Sequence, residues 1–181
     1  MNGKMRLDKY MVDAGLVVSR SQAESFIKLG QVTVNGNVVT RAGTLVTEND
    51  VVELQAKEQY VSRAGLKLAS VSSTLKLDFR GKTVLDVGSS TGGFTDYALK
   101  HGATKVIAVE LGTNQLHPSL HGDARIELHE QTDIRTFKTK ERVDIVVADV
   151  SFLSLQEILP AVARLCSRDT HIVAMVKPQF E

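Results

Sequence analysis

Apolar residues recur at three- and four-residue steps from Arg6 to Gly15, through Leu7, Tyr10, Met11 and Ala14, and this spacing predicts a short amphipathic helix that stops at Gly15. Ser19 stands as an N-cap before a second helical stretch that carries Ala23, Phe26 and Ile27 and ends at Gly30. Alternation then replaces helical spacing. Val32, Val34, Val38 and Val39 flank the turn dipeptide Asn35-Gly36, and a further β-rich run extends from Asp50 to Leu54 after Gly43. The opening segment therefore reads as two helices and a small sheet. A polar connector over 57–60 precedes a helical pattern from Ser62 to Leu77 through Leu66, Ala69 and Val71. We place a domain boundary near Glu58, giving domains 1–58 and 59–181.

Beyond that boundary strand-like and helical runs alternate: Thr83 to Val87, Phe94 to Lys100, Lys105 to Val109, Ile126 to His129, Val143 to Asp149, Leu155 to Leu165 and His171 to Val176. Such alternation predicts an α/β domain with a parallel sheet covered by helices. The runs Thr83-Val-Leu-Asp-Val87 and Val143-Asp-Ile-Val-Val147 are mostly β-branched, as strands buried on both faces should be.

Composition narrows the function classes. The formal net charge of the 181 residues is +1, so any nucleic-acid binding must rest on clustered charge and not on a basic excess. Cys166 is the single cysteine, which rules out an intrachain disulfide. Met1 to Lys9 lacks the apolar stretch of a signal peptide, and no apolar run approaches the roughly 20 residues that span a bilayer. A cytoplasmic protein with no membrane partner is expected. His117, His121 and His129 lack metal-ligand spacing and Cys166 follows the apolar spacing of a helix, so all four read as structural or surface residues and no metal is expected.

The segment Asp86-Val-Gly-Ser-Ser-Thr-Gly-Gly93 leaves a strand, passes through a glycine-rich turn and enters a helix. Glycine lets a ligand approach the backbone closely there. Its spacing is not that of a dinucleotide fingerprint, and no lysine follows Gly93 as a phosphate loop requires. The pattern resembles the first motif of class I S-adenosylmethionine (SAM) dependent methyltransferases, which makes Asp86, Gly88, Ser89, Gly92 and Gly93 candidate cofactor contacts. Glu110 ends the next strand 24 residues after Asp86, close to the roughly 20-residue spacing at which an acid meets ribose hydroxyls. Asp133 follows the third strand and has two readings: an acceptor for the adenine amino group, or the N-cap of a short helix.

Asp149 and Lys177 close the fourth and fifth strands at the edge where open α/β sheets bind ligands, and Lys67 lies on the preceding helix within reach of the same mouth. Methyl transfer to a hydroxyl needs that hydroxyl aligned and relieved of its proton, work that cations and a carboxylate perform. Lys67, Asp149 and Lys177 are the candidate catalytic residues. On the two N-terminal helices, Arg6, Lys9, Arg20 and Lys28 are candidates for one phosphate-contacting face.

Taken together, Arg6-Leu-Asp-Lys9, Ser19-Arg-Ser-Gln-Ala23, Gly30-Gln-Val-Thr-Val-Asn-Gly36, Ser62-Arg-Ala-Gly65, Asp86-Val-Gly-Ser-Ser-Thr-Gly-Gly-Phe94, Asp149-Val-Ser-Phe152 and Lys177-Pro-Gln-Phe-Glu181 resemble the hemolysin A family over nearly the whole chain. That resemblance implies a ribosomal-RNA 2′-O-methyltransferase with an N-terminal alpha-L RNA-binding domain, SAM as cofactor, and ribosomal RNA or a ribosomal subunit as partner. It also implies a Lys-Asp-Lys-Glu tetrad, whose first three members fall on Lys67, Asp149 and Lys177. The fourth has no counterpart here: Glu181 is set aside because the family's glutamate comes from a later strand. Five of the seven strands of that fold are read, so a truncated chain or fragment is expected. Two rivals are carried, a non-catalytic RNA-binding or ribosome-assembly protein and a cytolysin. The sequence does not fix the oligomeric state.

Overall fold

A computed structural model describes residues 3–17, 19–55 and 60–181, so Glu58 and most of the expected connector lie outside the described residues. The chain divides into two compact units, Met1–Gln59 and Tyr60–Glu181.

In the first unit, strand β1 (Met5–Arg6) runs directly into helix α1 (Leu7–Asp13), and α2 (Arg20–Lys28) follows. Arg6 thus ends a strand and caps a helix, where a helical position was expected, because its extended backbone pairs with strand β4 (Leu45–Val46). Ser19 caps α2 as expected, its Oγ accepting from Gln22 N at 3.2 Å. Strands β2 (Val32–Val34), β3 (Asn37–Val38) and β5 (Val52–Leu54) form an antiparallel sheet of order β3-β2-β5. Asn35 and Gly36 both adopt positive φ, the backbone that a two-residue hairpin turn demands. Leu7, Met11, Phe26, Ile27 and Val32 are wholly buried and form the core; Ala14, expected among them, is exposed beyond the helix end.

The second unit begins with α3 (Arg63–Ser72), which ends five residues before the expected Leu77, its buried face formed by Gly65, Leu66, Leu68 and Ser72 while Val71 faces outward. Next come β6 (Thr83–Val87), α4 (Gly93–Lys100), β7 (Lys105–Val109), β8 (Ile126–His129), β9 (Val143–Ala148), α5 (Leu155–Arg164) and β10 (Cys166–Ala174). The five strands are parallel in the order β10-β9-β6-β7-β8. Leu85, Val87, Ile107, Val109 and Val146 pack with Ile158 and Val162 of α5 in one buried cluster. Strand periodicity sends the residues between them to the opposite face.

Cys166 belongs to β10 and not to a helix. α5 stops at Arg164, and the strand begins with Cys166 opposite Val143 before the register shifts. Thr170 secures that irregular stretch, donating from Oγ1 to Val143 O at 2.7 Å and accepting from Ser167 N at 2.9 Å. Among the described residues, no helix is long and apolar enough to cross a membrane, and no cluster of His, Cys, Asp and Glu is disposed to hold a metal ion.

Candidate active site

The sheet order reverses between β6, whose next strand in sequence lies on one side, and β9, which returns to the other. Open parallel sheets form a crevice at such a switch point, outside the carboxyl ends of the strands. Here that crevice is a cavity of about 390 Å³, lined by Gly88 and Ser90 after β6, Glu110 after β7, Asp133 after β8 and Asp149 to Leu153 after β9.

Two of its acidic groups accept hydrogen bonds from backbone amides. Glu110 accepts from Ser90 N at 2.9 Å and from Gly112 N at 2.8 Å, so its carboxylate is fixed at the cavity edge with lone pairs remaining for a ligand. Asp133 lines the same cavity and accepts from Arg135 N at 2.8 Å and from the Arg135 guanidinium. That pairing holds its carboxyl below the usual range. The N-cap reading keeps its side-chain bond to Arg135 N, but the segment that follows is a single turn and not a helix.

The glycine turn separates into distinct jobs. Gly88 (φ +76°) lines the cavity, and a Cβ there would press on Val150 Cγ1 at 3.2 Å and Asp149 O at 3.3 Å. Gly92 and Gly93 do not line it. A Cβ on Gly92 (φ +86°) would meet Leu120 and Leu116, and one on Gly93 would run into Ser62 and, at 2.8 Å, Ala64 of α3. Asp86 and Ser89 are buried and likewise off the cavity wall. Asp86 accepts from Thr95 Oγ1 at 2.7 Å beneath the turn. Burial pushes its carboxyl up to about 7, although the Thr95 hydrogen bonds favour the anion.

Lys67, Asp149 and Lys177 do converge. Lys67 Nζ lies 3.0 Å from Asp149 Oδ2 and Lys177 Nζ lies 2.7 Å from Asp149 Oδ1, so one carboxylate spans two ammonium groups. Burial works against the Asp149 anion, yet the two lysines more than offset it and hold its carboxyl below the usual range. Two neighbours went unread in the sequence. Ser151 Oγ accepts from Lys177 Nζ at 2.9 Å, and Phe152, at φ +68° and 86% exposed, stands against Phe180 with ring centroids 5.5 Å apart. Both sit in the quoted motif Asp149-Val-Ser-Phe152; an outward-facing phenylalanine is what periodicity cannot foresee. Glu181 sits instead at the start of α5, accepting from Leu155 N and Ser154 Oγ, both at 2.9 Å.

In the first unit, Arg6 and Arg20 meet on Asp8, whose side chain is fully buried. Their Nη2 atoms lie 3.0 Å and 2.8 Å from Asp8 Oδ2, while the guanidiniums themselves stay half exposed. Lys9 and Lys28 are exposed and do not join that cluster.

A parallel sheet of this order, with an acid-ended glycine turn and a crevice at the switch point, defines a Rossmann-like α/β domain of the methyltransferase class. The family described as FtsJ-like methyltransferase matches residues 60–181, and the S4 domain matches residues 5–52. The chain belongs to the FtsJ-like methyltransferase family. It is 38% identical to the 16S/23S rRNA (cytidine-2′-O)-methyltransferase TlyA of Mycobacterium tuberculosis strain H37Rv, a match covering 100% of this chain and 69% of the relative. It is 39% identical to Hemolysin A of Brachyspira hyodysenteriae, over 98% of this chain and 75% of the relative, in line with the resemblance carried by the motifs. A solved structure from Streptococcus thermophilus, assigned as a hemolysin, superposes with a TM-score of 0.67 at 37% identity, covering 100% of this chain and 68% of that one.

Proposed function

We propose that this protein transfers a methyl group from SAM to a ribose 2′-hydroxyl of ribosomal RNA. The observation that carries the reading is the Lys67–Asp149–Lys177 cluster, set beside a cavity whose walls suit a nucleoside. Gly88 leaves room for a ligand against the backbone, Glu110 presents a pinned carboxylate suited to ribose hydroxyls, and Asp133 offers an acceptor suited to an adenine amino group. These residues would hold SAM, which supplies an electrophilic methyl group when bound. Asp86, Ser89, Gly92 and Gly93 support the turn from behind.

Lys177, steered by Asp149, takes the hydroxyl proton or activates the group that does, and Lys67 stabilises the reacting oxygen. A lysine accepts a proton only in its neutral form, so the proton on Lys177 must leave before that of the hydroxyl arrives. The exposed Phe152 gives an unstacked target base an aromatic face to lie on, as single-stranded RNA recognition requires. Binding to RNA is assigned to the S4 unit through Arg6 and Arg20, with Lys9 and Lys28 as outlying cations. A substrate of ribosomal RNA, as the names of the rRNA methyltransferase relatives give for those proteins, makes the cytoplasm the expected location.

The test is incorporation of radiolabelled methyl groups into ribosomal RNA, with nuclease mapping of the ribose. Lys177→Met should abolish it. Label appearing on a base, or undiminished in that variant, would overturn the reading.

A further inference from the structure

Lys177 is held by more than its ion pair. Its ammonium group carries three N–H donors; Asp149 Oδ1 pairs with its charge at 2.7 Å while Ser151 Oγ accepts a hydrogen bond from it at 2.9 Å, and its side chain is only 19% exposed. Two fixed partners define the direction of the third position on a tetrahedral nitrogen. A single partner would leave the nitrogen free to rotate about one contact.

The backbone that carries Ser151 is itself anchored. The residues after β9 and those after β10 are laced together at further points, the Phe152–Phe180 ring contact and the pair of bonds from Ser154 Oγ and Leu155 N to Glu181. Positive φ at Phe152 bends the chain just past Ser151. The two segments therefore stay docked without the serine hydroxyl, and removing it changes only how the lysine nitrogen points.

We propose that Ser151 is a positioning residue for methyl transfer, acting through Lys177: its hydroxyl, with Asp149, aims the free position of the Lys177 nitrogen into the cavity. The proposal rests on Lys177 being the group that meets the ribose hydroxyl.

The experiment compares Ser151→Ala, Ser151→Thr and Ser151→Val, the last two sharing a shape and differing in the hydroxyl, with Lys177→Met as control. Loss of aim should lower kcat about 10- to 100-fold in Ser151→Ala and Ser151→Val. The KM for RNA and the calorimetric affinity for SAM should stay within about twofold, and Ser151→Thr should restore kcat. A second readout needs no turnover: the nitrogen-15 signal of the Lys177 ammonium should sharpen when the hydroxyl at position 151 accepts its hydrogen bond beside the Asp149 ion pair. It should be present in the parent and in Ser151→Thr and broaden in the other two. Full kcat in Ser151→Ala, or equal kcat and equal lysine signals in the Thr and Val variants, would overturn the role of Ser151. Undiminished turnover in Lys177→Met would instead overturn the reading of the site on which it rests.

Discussion

Asp149 is the residue on which the site turns, because it pairs with Lys67 and Lys177 at once while more buried than either, with side-chain exposures of 12%, 45% and 19%. Removing its charge leaves two ammonium groups facing each other without a counter-ion. Asp149→Asn should therefore lower methyl transfer at least about 100-fold, measured as labelled methyl in ribosomal RNA, while SAM affinity by calorimetry holds. Phe152 tests a different contribution. Stacking of a base on an aromatic ring is worth roughly 1–3 kcal/mol, so Phe152→Ala should weaken RNA use by about 5- to 150-fold in kcat/KM. Since the ring is 86% exposed, the melting temperature should barely change. A variant equal to the parent in kcat/KM would remove Phe152 from substrate recognition.

Helices α3 and α4 cross where neither has room for a side chain. A Cβ on Gly93 would meet Ser62, Ala64 and Gly65, and one on Gly65 would meet Tyr60 and, at 3.0 Å, Gly93 O. This close approach brings α3 near the sheet edge and with it Lys67 to Asp149. Gly93→Ala should cost about 1–3 kcal/mol by overpacking, read by urea denaturation, and should lower turnover more than SAM affinity because it shifts the helix bearing Lys67. Gly92→Val acts otherwise. Its side chain points at Leu116 and Leu120 and its backbone sits at φ +86°, so it would impair SAM binding by straining the turn and not by filling the cavity.

At the scale of the whole molecule, the two units should answer to pH in opposite senses. Hydrogen bonding from Arg6, with help from Arg20, holds the Asp8 carboxyl down at about 2 despite its burial. Its folded pKa lies below the unfolded value of 3.8, so the stability it contributes is present above 3.8 and is lost as pH falls toward about 2. Asp86 is raised to about 7 by burial, so its contribution is present below 3.8 and is lost as pH rises through about 7. Thermal melts of Asp8→Asn should show less acid sensitivity than the parent, and those of Asp86→Asn a flatter profile between about pH 4 and 7. Parallel profiles for parent and variants would refute both assignments. The S4 unit carries a further expectation: RNA affinity should fall as salt rises, by phosphate counterion release through Arg6 and Arg20. Salt-independent binding would show that other groups carry it.

Local chemistry was enough to fix most of the elements. Ser19 as a cap, Asn35-Gly36 as a hairpin turn, and the strand runs that carry Asp86 or lead into Glu110 and Asp149 all follow from backbone sterics and strand burial, which act over a few residues and leave their mark in the sequence. The motifs likewise pointed to Lys67, Asp149 and Lys177 as one group. What the tertiary structure decided depends on residues far apart in the chain. The paired strands β1 and β4 are two residues each, too short for any periodicity to show. The strand position of Cys166 reflects its pairing with Val143 across the sheet. Of the glycines in one short turn, Gly88 faces the cavity while Gly92 and Gly93 make room for leucines and for a helix. Arg6 and Arg20, candidates in the sequence for a phosphate-contacting face, are brought together by Asp8, because burial makes a carboxylate seek cations. Residue type and spacing determined which groups were available; only three-dimensional packing determined which of them face the cavity, since the direction of a side chain is set by what lies against it.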